Sequence, residues 1–535
     1  MTKNRILILC LLAGFGMVRR VQAQALDGQQ REALIQRAAA FRKQENYGMA
    51  IQQLDSILSK NPADAGIILF RGDLQLQNRE FKKAVASYQQ LIKLNHELTI
   101  ARINLSYALF MDHHPAKALV YAAEAYARNS SNTNATVNYF NALLWNSRTT
   151  DAARFLATVS KSLSPAQRLV LNARLYTTSG NYTKGLANYD SLVRAFPDKN
   201  YVKEYAEVLL GKKEIARSET IMKTHDTLFT ASEYGAYSQK LRATRMQNAG
   251  AEFVLFSDVA KNTRLESSIW YQQGEGRRFR FRYSAGVSTI TSAENTRTSA
   301  QFGHITVNER FGLAWSGQSD VHLQVIKPEG KDAFSGITGR QTIQYQPNDR
   351  RMIGLVYNSE ILNYTARLLG STVRSHNLGY VTHILLSGRT GIFSQGSAGV
   401  LTDQNQRYLF FGSLYHLLRT EPTVKVGLNF SALHFSNPAI TAYFSPDRYL
   451  STELFADYST ALPHLARHYF QLQAAGGAQQ IERLAWEPAF RLQAELGYRS
   501  SHFETGLKYQ TSNVASSAGT GYKFNWFTYR LLWKW

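Results

Sequence analysis

From about residue 250 to the C-terminus, apolar residues recur at every second position in one run after another, and this period strongly constrains the fold. In the segment "RRFRFRYSAGV", Arg278, Arg280 and Arg282 alternate with aromatic residues. A β-strand sends successive side chains to opposite faces, so the segment predicts one cationic and one aromatic face. A soluble sandwich would bury the aromatic face. A membrane barrel would turn that face to lipid and line a wet interior with arginine.

The lengths of these runs favour the membrane barrel. Candidate strands of about 9–12 residues, each with one apolar face, follow one another with turn signals between them. The region from residue 250 to the end holds roughly 14–17 candidate strands, and an even number, about 14–16, is expected of a single-chain barrel. Because arginine on the lipid face near the midplane costs roughly 2–4 kcal/mol, the three arginines are expected to face the lumen. The sequence therefore predicts a transmembrane antiparallel β-barrel over residues 250–535.

The last predicted strand, "FTYRLLWKW", provides a second signal. Five of its residues share one face: Phe527, Tyr529, Leu531, Trp533 and Trp535. An alternating final strand that ends on an aromatic residue is similar to the signal read by the outer-membrane barrel assembly machinery. We therefore expect that machinery and outer-membrane lipid as partners. The alternative is an edge strand packed within a soluble sheet.

The region from residue 28 to 245 has a different period. Ala50, Ala84, Ala118 and Ala152 are spaced by 34 residues, and small residues at Ala38, Gly72 and Ser106 repeat with the same spacing where paired helices must approach closely. This pattern resembles the tetratricopeptide repeat, two helices per 34 residues. We predict about five repeats and a degenerate sixth, which form an α-solenoid that binds partners or serves only as a spacer.

The N-terminus predicts export. A basic start, an apolar run from residue 6 to 18 and small residues near Ala23 indicate a signal peptide over residues 1–23, too short to span a membrane as a helix. The only cysteine, Cys10, lies in this segment, so no disulfide or Cys-based metal site is expected. The net charge of +22 suits an acidic polymer or an anionic surface, but without zinc-ligand spacing or a dense basic run we expect no nucleic-acid partner.

One short motif narrows the family. In "AYFSPDRYLSTELFADY", five residues match the YFSP-x-x-Y segment of the barrel of cellulose synthase operon C type exporters: Tyr443, Phe444, Ser445, Pro446 and Tyr449. The segment "GAEFVLFSD" likewise resembles the first strand of these barrels and of YaiO-type barrels. The order of signal peptide, periplasmic repeats and C-terminal barrel is similar to exporters of cellulose and poly-N-acetylglucosamine. Such exporters carry far more repeats, which puts contact with an inner-membrane synthase in doubt. From its residues alone, the motif predicts a turn before a strand near Tyr449.

The resemblance implies an outer-membrane channel that exports an exopolysaccharide, with periplasmic repeats that guide the polymer or dock periplasmic or inner-membrane synthase components. The alternative is a scaffold or assembly protein whose barrel is mainly an anchor. If Arg278, Arg280 and Arg282 form a cationic track, the exported polymer is anionic. The candidate lumen or polymer-contact residues are Arg278, Arg280, Arg282, Glu453, Asp457, Arg491, Glu495 and Arg499. In the competing interpretation, these arginines pair with Glu453, Asp457, Glu495 and Glu504 and stiffen the barrel wall.

Enzyme chemistry is not expected. Histidines occur beyond residue 300, but none lies in a recognisable nucleophile motif. Glu453 and Asp457 lie four residues apart on one strand, about 13 Å, which is too far for a glycosidase pair. His113 and His114 have no third ligand at metal-site spacing. We therefore predict no catalytic residue, no metal and no cofactor.

Overall fold

The computed structural model describes residues 27–94, 99–462, 465, 467–514 and 523–535. The predicted signal peptide lies outside the described residues. The chain divides between Asn146 and Ser147 into two compact units, so the boundary between units falls within the repeats rather than between repeats and barrel. Among the helices described, none is both long and apolar enough to cross a membrane.

The first unit consists of helices that pack in pairs. They are α1 (Gly28–Lys43), α2 (Tyr47–Leu58), α3 (Ala65–Gln77), α4 (Phe81–Lys93), α5 (Thr99–Met111), α6 (Pro115–Arg128) and α7 (Thr133–Trp145). The small residues with a 34-residue spacing lie where the sequence predicts close approach. Ala38 and Ser106 are fully buried, and a Cβ added to Gly72 would lie 2.7 Å from the ring of the buried Tyr88. The close approach of paired helices at Gly72 is therefore confirmed.

The second unit begins with the remaining helices of the repeats. They are α8 (Thr149–Val159), α9 (Pro165–Ser179), α10 (Tyr182–Ala195), α11 (Lys199–Gly211), α12 (Ile215–Thr224) and α13 (Ala231–Arg245). Capping boxes begin α9 at Ser164 and α13 at Thr230, where the N-cap hydroxyl accepts from the third backbone N–H of the helix. The degenerate sixth repeat is present as the pair α11 and α12.

The rest of the second unit is a closed antiparallel barrel of sixteen strands, each hydrogen-bonded to its sequence neighbours, with β1 paired to β16. The strands are β1 (Asn248–Asp258), β2 (Thr263–Gln272), β3 (Phe279–Thr291), β4 (Arg297–Arg310), β5 (Trp315–Pro328), β6 (Phe334–Asn348), β7 (Arg351–Ile361), β8 (Arg374–Leu385), β9 (Thr390–Leu401), β10 (Gln406–Thr420), β11 (Thr423–Phe435), β12 (Tyr449–Ala461), β13 (His468–Ile481), β14 (Glu487–Arg499), β15 (Phe503–Ser512) and β16 (Phe524–Lys534). A short helix, α14 (Ala366–Ser371), lies in the connection between β7 and β8. The fold class is therefore as predicted.

The outer face of the barrel is apolar. Ile269 on β2, Leu355 on β7 and Leu454 on β12 are each more than 60% exposed, which for a side chain on the outside of a closed barrel means contact with lipid. Aromatic rings pair along the end where the chain enters the barrel, as in Trp315 with Tyr345 at 4.6 Å. Such a girdle marks the interface between membrane and water in transmembrane barrels. This exterior supports an outer-membrane location.

Candidate functional site

The sequence-predicted polar residues that lie on strands share the lumen face of the barrel. The strand register places Arg280 and Arg282 of β3 on the opposite face from Phe279, Phe281 and Tyr283, two of which are more than 40% exposed. Arg278 lies outside the strand, on the turn that precedes it. By the same register the residues predicted on β12 and β14 share the lumen face: Glu453, Asp457, Arg491, Glu495 and Arg499. The C-terminal Tyr529, Trp533 and Trp535 are exposed on the lipid side with Phe527 and Leu531.

Several lumen charges form an ion-pair network across β14–β16. Glu504 accepts two hydrogen bonds from Arg499, at 3.0 and 3.1 Å. The same carboxylate lies 3.2 Å from Arg530 and 3.3 Å from Lys534. Its side chain is only 8% exposed, so it holds three cations in a partly dehydrated position. These contacts fit the wall-stiffening interpretation for this side of the barrel.

The acidic pair on β12 is also neutralised. Glu453 lies 3.1 Å from Arg491 of β14, and Asp457 lies 2.6 Å from Lys425 of β11. The partner of Asp457 is thus a lysine rather than an arginine. Two carboxylates each bound by a cation are typical of a structural lumen network and not of an acid–base pair.

The arginines near β3 have different surroundings. Arg280 forms an ion pair with Glu275 on the preceding turn. The Arg282 guanidinium lies 4.3 Å from the centre of the Trp270 ring, and Arg278 lies 5.3 Å from that of Phe279. Within the described part of the chain, neither Arg282 nor Arg278 has a carboxylate within 4.0 Å. These two guanidinium groups keep donors for a ligand.

The end of the barrel farthest from α13, the distal end, contains two inward-folded segments, residues 362–373 with α14 and residues 436–448. We call them together the distal plug. Leu362 and Tyr364 pack against Leu433 of β11 and Ala489 of β14, while Leu369 of α14 packs on the far side of the barrel with side chains of β3, β4 and β5. The plug therefore reaches lumen-facing residues on both sides of the barrel.

Polar contacts hold the plug in place. Thr298 of β4 donates to the carbonyl of Ala366 at 2.8 Å, and the Ala366 N–H donates to Ser292 at 3.0 Å. Arg264 of β2 donates to the carbonyl of Asn363. These are contacts between a loop and the wall, and none of them is a strand pairing. Burial raises the pKa of the Tyr364 phenol, which therefore stays neutral within the plug.

The YFSP-x-x-Y residues build the second segment of the plug. Tyr443, 4% exposed, donates to Asp403 at 2.8 Å, and Ser445 donates to the Ile440 carbonyl at 2.7 Å. The Pro446 carbonyl accepts from the Phe435 N–H at 2.8 Å, which closes the loop at its base. β12 begins at Tyr449, as the sequence predicts. The phenol of Tyr449 donates to Gln479, and its ring meets Phe444 edge-on at 6.1 Å.

At the other, proximal end, the last repeats sit on the rim of the barrel. The Lys212 ammonium lies 2.8 Å from Asp349 on the β6–β7 turn, and the Lys212 carbonyl accepts from Arg310 of β4. Lys213 lies 3.2 Å from Glu275 on the β2–β3 turn. Burial lowers the pKa of Lys212 and its hydrogen bonds to Asp349 and Tyr182 raise it, with a net upward direction, so this contact stays charged.

The sequence prediction missed the distal plug and the contact between the last repeats and the proximal rim of the barrel. Signals for both are present. The stretch "NYTARLLGS" is a helix-like pattern within a predicted barrel connection, and on β10 the lumen-facing Leu409 and Phe411 are apolar where a water-filled lumen should be polar. Arg407 on the same face is 6% exposed and donates to Glu360 and Asn377. A lumen face with apolar and buried residues at one end indicates a segment packed against it.

Comparisons with known proteins find similarity to parts of the chain. A family model described as tetratricopeptide repeat matches residues 35–97. Among the solved structures that the search matched is a bacterial polysaccharide outer membrane secretin (10% identity, TM-score 0.45, 55% of this chain and 99% of that one). Others are a tetratricopeptide repeat protein from Parabacteroides merdae (16%, 0.30, 40% and 90%) and Pseudomonas aeruginosa OccK5 (12%, 0.31, 54% and 98%). No curated protein matches the sequence.

The fold and the lumen together define the structural class of the protein. The chain contains tetratricopeptide repeats followed by a closed 16-strand antiparallel β-barrel with an apolar exterior and a polar lumen. Barrels of this strand number are wide enough to enclose an aqueous channel.

Proposed function

We propose that the protein is an outer-membrane channel that exports an exopolysaccharide, with its repeats in the periplasm. The observation that carries the proposal is a wide polar lumen blocked at the distal end by loop segments rather than by strands. Such a plug keeps the membrane sealed when no polymer is passing and leaves the barrel intact when it moves aside.

The lining of the lumen fits a carbohydrate. Besides the charged residues, the lumen face of β13–β15 carries amides at regular intervals, including Gln471, Gln473, Gln493 and Gln510. Amide and hydroxyl groups both donate and accept, as sugar hydroxyls do. Many weak sites along a lumen allow a chain to enter and also to leave. This arrangement needs no catalytic group, and we propose that the protein is not an enzyme.

The repeats are placed to receive the polymer or its partners. Because α9–α13 rest on the proximal rim, the path into the barrel passes the last repeats. We propose that the repeats dock periplasmic components, including those of a synthase, and that the family is the cellulose synthase operon C or YaiO type that the YFSP-x-x-Y motif indicates. A gene neighbourhood with a family-2 glycosyltransferase would support this assignment.

A second function is favoured by the plug itself. A permanently blocked lumen would make the barrel an anchor for a periplasmic scaffold. Recordings in planar bilayers separate the two functions. A variant in which residues 363–372 and 437–447 are replaced by short Gly-Ser linkers should conduct continuously, whereas the native protein should show only brief openings. A folded deletion variant that conducts no better than the native protein would favour the anchor.

A further inference from the structure

A polar cavity of about 390 Å³ lies at the proximal rim, where the repeats meet the barrel. Its wall is made by two parts of the second unit: the turn between α11 and α12, with Lys212 and Lys213, and the rim of the barrel at the β2–β3 turn and the ends of β4–β6. Cavities of roughly 300–1,000 Å³ are the usual size for small-ligand sites. Neither the repeats nor the barrel alone forms this cavity.

The cavity has an excess of positive charge. Its lining includes six cationic side chains: Lys212, Lys213, Arg277, Arg278, Arg280 and Arg310. Three carboxylates line the same cavity: Glu275, Glu309 and Asp349. One of them is shared by two cations, since Glu275 binds both Arg280 and Lys213. An anion that enters can therefore take over donors that Glu275 does not saturate.

Arg277 and Arg278 supply the clearest donors. Both are exposed, and across the residues that the structure describes neither takes part in an ion pair. A guanidinium matches a carboxylate with two parallel hydrogen bonds, so two adjacent arginines are suited to successive carboxylates of a chain. A neutral sugar can accept hydrogen bonds from these donors but has no negative charge to pair with them.

The cavity continues into the lumen. Asn308, Gln318 and Gln344, which line it, belong to the lumen face of β4, β5 and β6. A ligand that binds the arginines therefore meets amides next, and amides suit hydroxyl groups. A chain with both carboxylates and hydroxyls fits this sequence of contacts better than an acidic peptide.

We propose that this cavity is an entry site for a carboxylated polysaccharide, bound jointly by the α11–α12 turn and the arginines of the β2–β3 turn. The proposal rests on the proposed export function, since it names the class of polymer. It adds that the repeats contribute part of the binding site instead of acting only at a distance.

The test is equilibrium binding to the full-length protein in detergent micelles, by isothermal titration calorimetry at low salt. The probes are a galacturonic acid tetramer, a neutral glucose tetramer and a tetraglutamate peptide. The variant is Arg277→Glu with Arg278→Glu. The matched control is Arg297→Glu with Lys331→Glu, two exposed residues at the distal end of the barrel that undergo the same charge change.

We expect the galacturonic acid tetramer to bind the native protein and the control alike, and the Arg277/Arg278 variant at least roughly tenfold more weakly, because charge-assisted hydrogen bonds are lost. Its affinity should fall as salt is raised. Equal binding of the neutral tetramer, preference for the peptide or an unchanged affinity in the variant would each overturn the proposal. Because binding is measured without conduction, a barrel that binds but never conducts would contradict the export function alone.

Discussion

At the scale of single residues, Glu504 shows how much one lumen carboxylate holds together. It contacts Arg499, Arg530 and Lys534 within 3.3 Å. Glu504→Gln leaves three cations around a neutral amide, so we expect the barrel to lose on the order of 1–3 kcal/mol of stability. The measurement is the urea midpoint of the heat-modifiable band. Glu294→Gln, on an exposed distal turn, is the control, and equal midpoints for both variants would refute a structural role for Glu504.

The substitution Gly180→Ala tests the contact between the last repeats and the barrel. Gly180 adopts φ +91°, and a Cβ there would lie 2.3 Å from the Pro347 carbonyl oxygen of the β6–β7 rim. Gly180→Ala adds a left-handed penalty of roughly 1–2 kcal/mol and a clash with backbone. We expect helical circular dichroism to show a lower melting midpoint, by at least about 3 °C. Gly48→Ala, where no atom lies within 4 Å, should not lower it. A variant at Gly180 that melts like the native protein would mean that this contact contributes nothing.

At the scale of elements, β16 closes the barrel. It pairs with both β1 and β15, and the backbone groups of Trp535 exchange hydrogen bonds with Gln247 at 2.9 and 3.0 Å. Deleting residues 533–535 removes the end of this seam and two lipid-facing aromatics. We expect loss of the heat-modifiable barrel from outer-membrane fractions while export across the inner membrane continues. Normal assembly of the truncated chain would contradict the predicted assembly signal.

The arginines at and near β3 distinguish the two interpretations of the lumen arginines, a cationic track for the polymer or ion pairs that stiffen the wall. Arg282 faces Trp270 and not a carboxylate, while Arg491 and Arg499 of β14 are paired. In the plug-deleted channel, Arg278→Glu with Arg282→Glu should therefore weaken or reverse any preference for anions. Reversal potentials in a salt gradient measure this. An unchanged preference in a folded double variant would assign all these arginines to the wall.

Period is sufficient to predict the repeat helices and the barrel strands, but not α14. The repeats follow from a 34-residue spacing and the strands from alternation, because both periods report which face of an element is buried. The plug could not be predicted in the same way. Its residues are apolar without a long period, and their place inside the lumen depends on a cluster whose members, such as Leu362 and Ala489, are far apart in the sequence. Lumen placement could be predicted for Arg280 and Arg282, but Glu275, the partner of Arg280, lies on a turn that alternation does not describe.

At the scale of the whole molecule, the surface of the barrel predicts where the protein is found in the cell. The apolar exterior, with Ile269, Leu355 and Leu454 each more than 60% exposed, is incompatible with a water-soluble barrel. We expect the protein in outer-membrane fractions, with a band that shifts on heating, and with residues 28–245 open to protease only from the periplasmic side. Recovery as a soluble periplasmic protein would contradict the predicted outer-membrane location.

Whether the distal plug moves to open the lumen can be tested with a disulfide that ties the plug to the barrel wall and can be reduced again. A Cβ added to Gly370 of α14 would lie 3.2 Å from Cβ of Pro328 at the end of β5, close to the separation of roughly 3.5–4.5 Å that a disulfide needs. Cys10 is the only native cysteine, so the pair Gly370→Cys and Pro328→Cys has no competitor in the barrel. The measurement is single-channel recording of this variant, oxidised and then reduced in place. We predict no openings while the disulfide is intact and openings once it is reduced; identical recordings before and after reduction would contradict a movable plug.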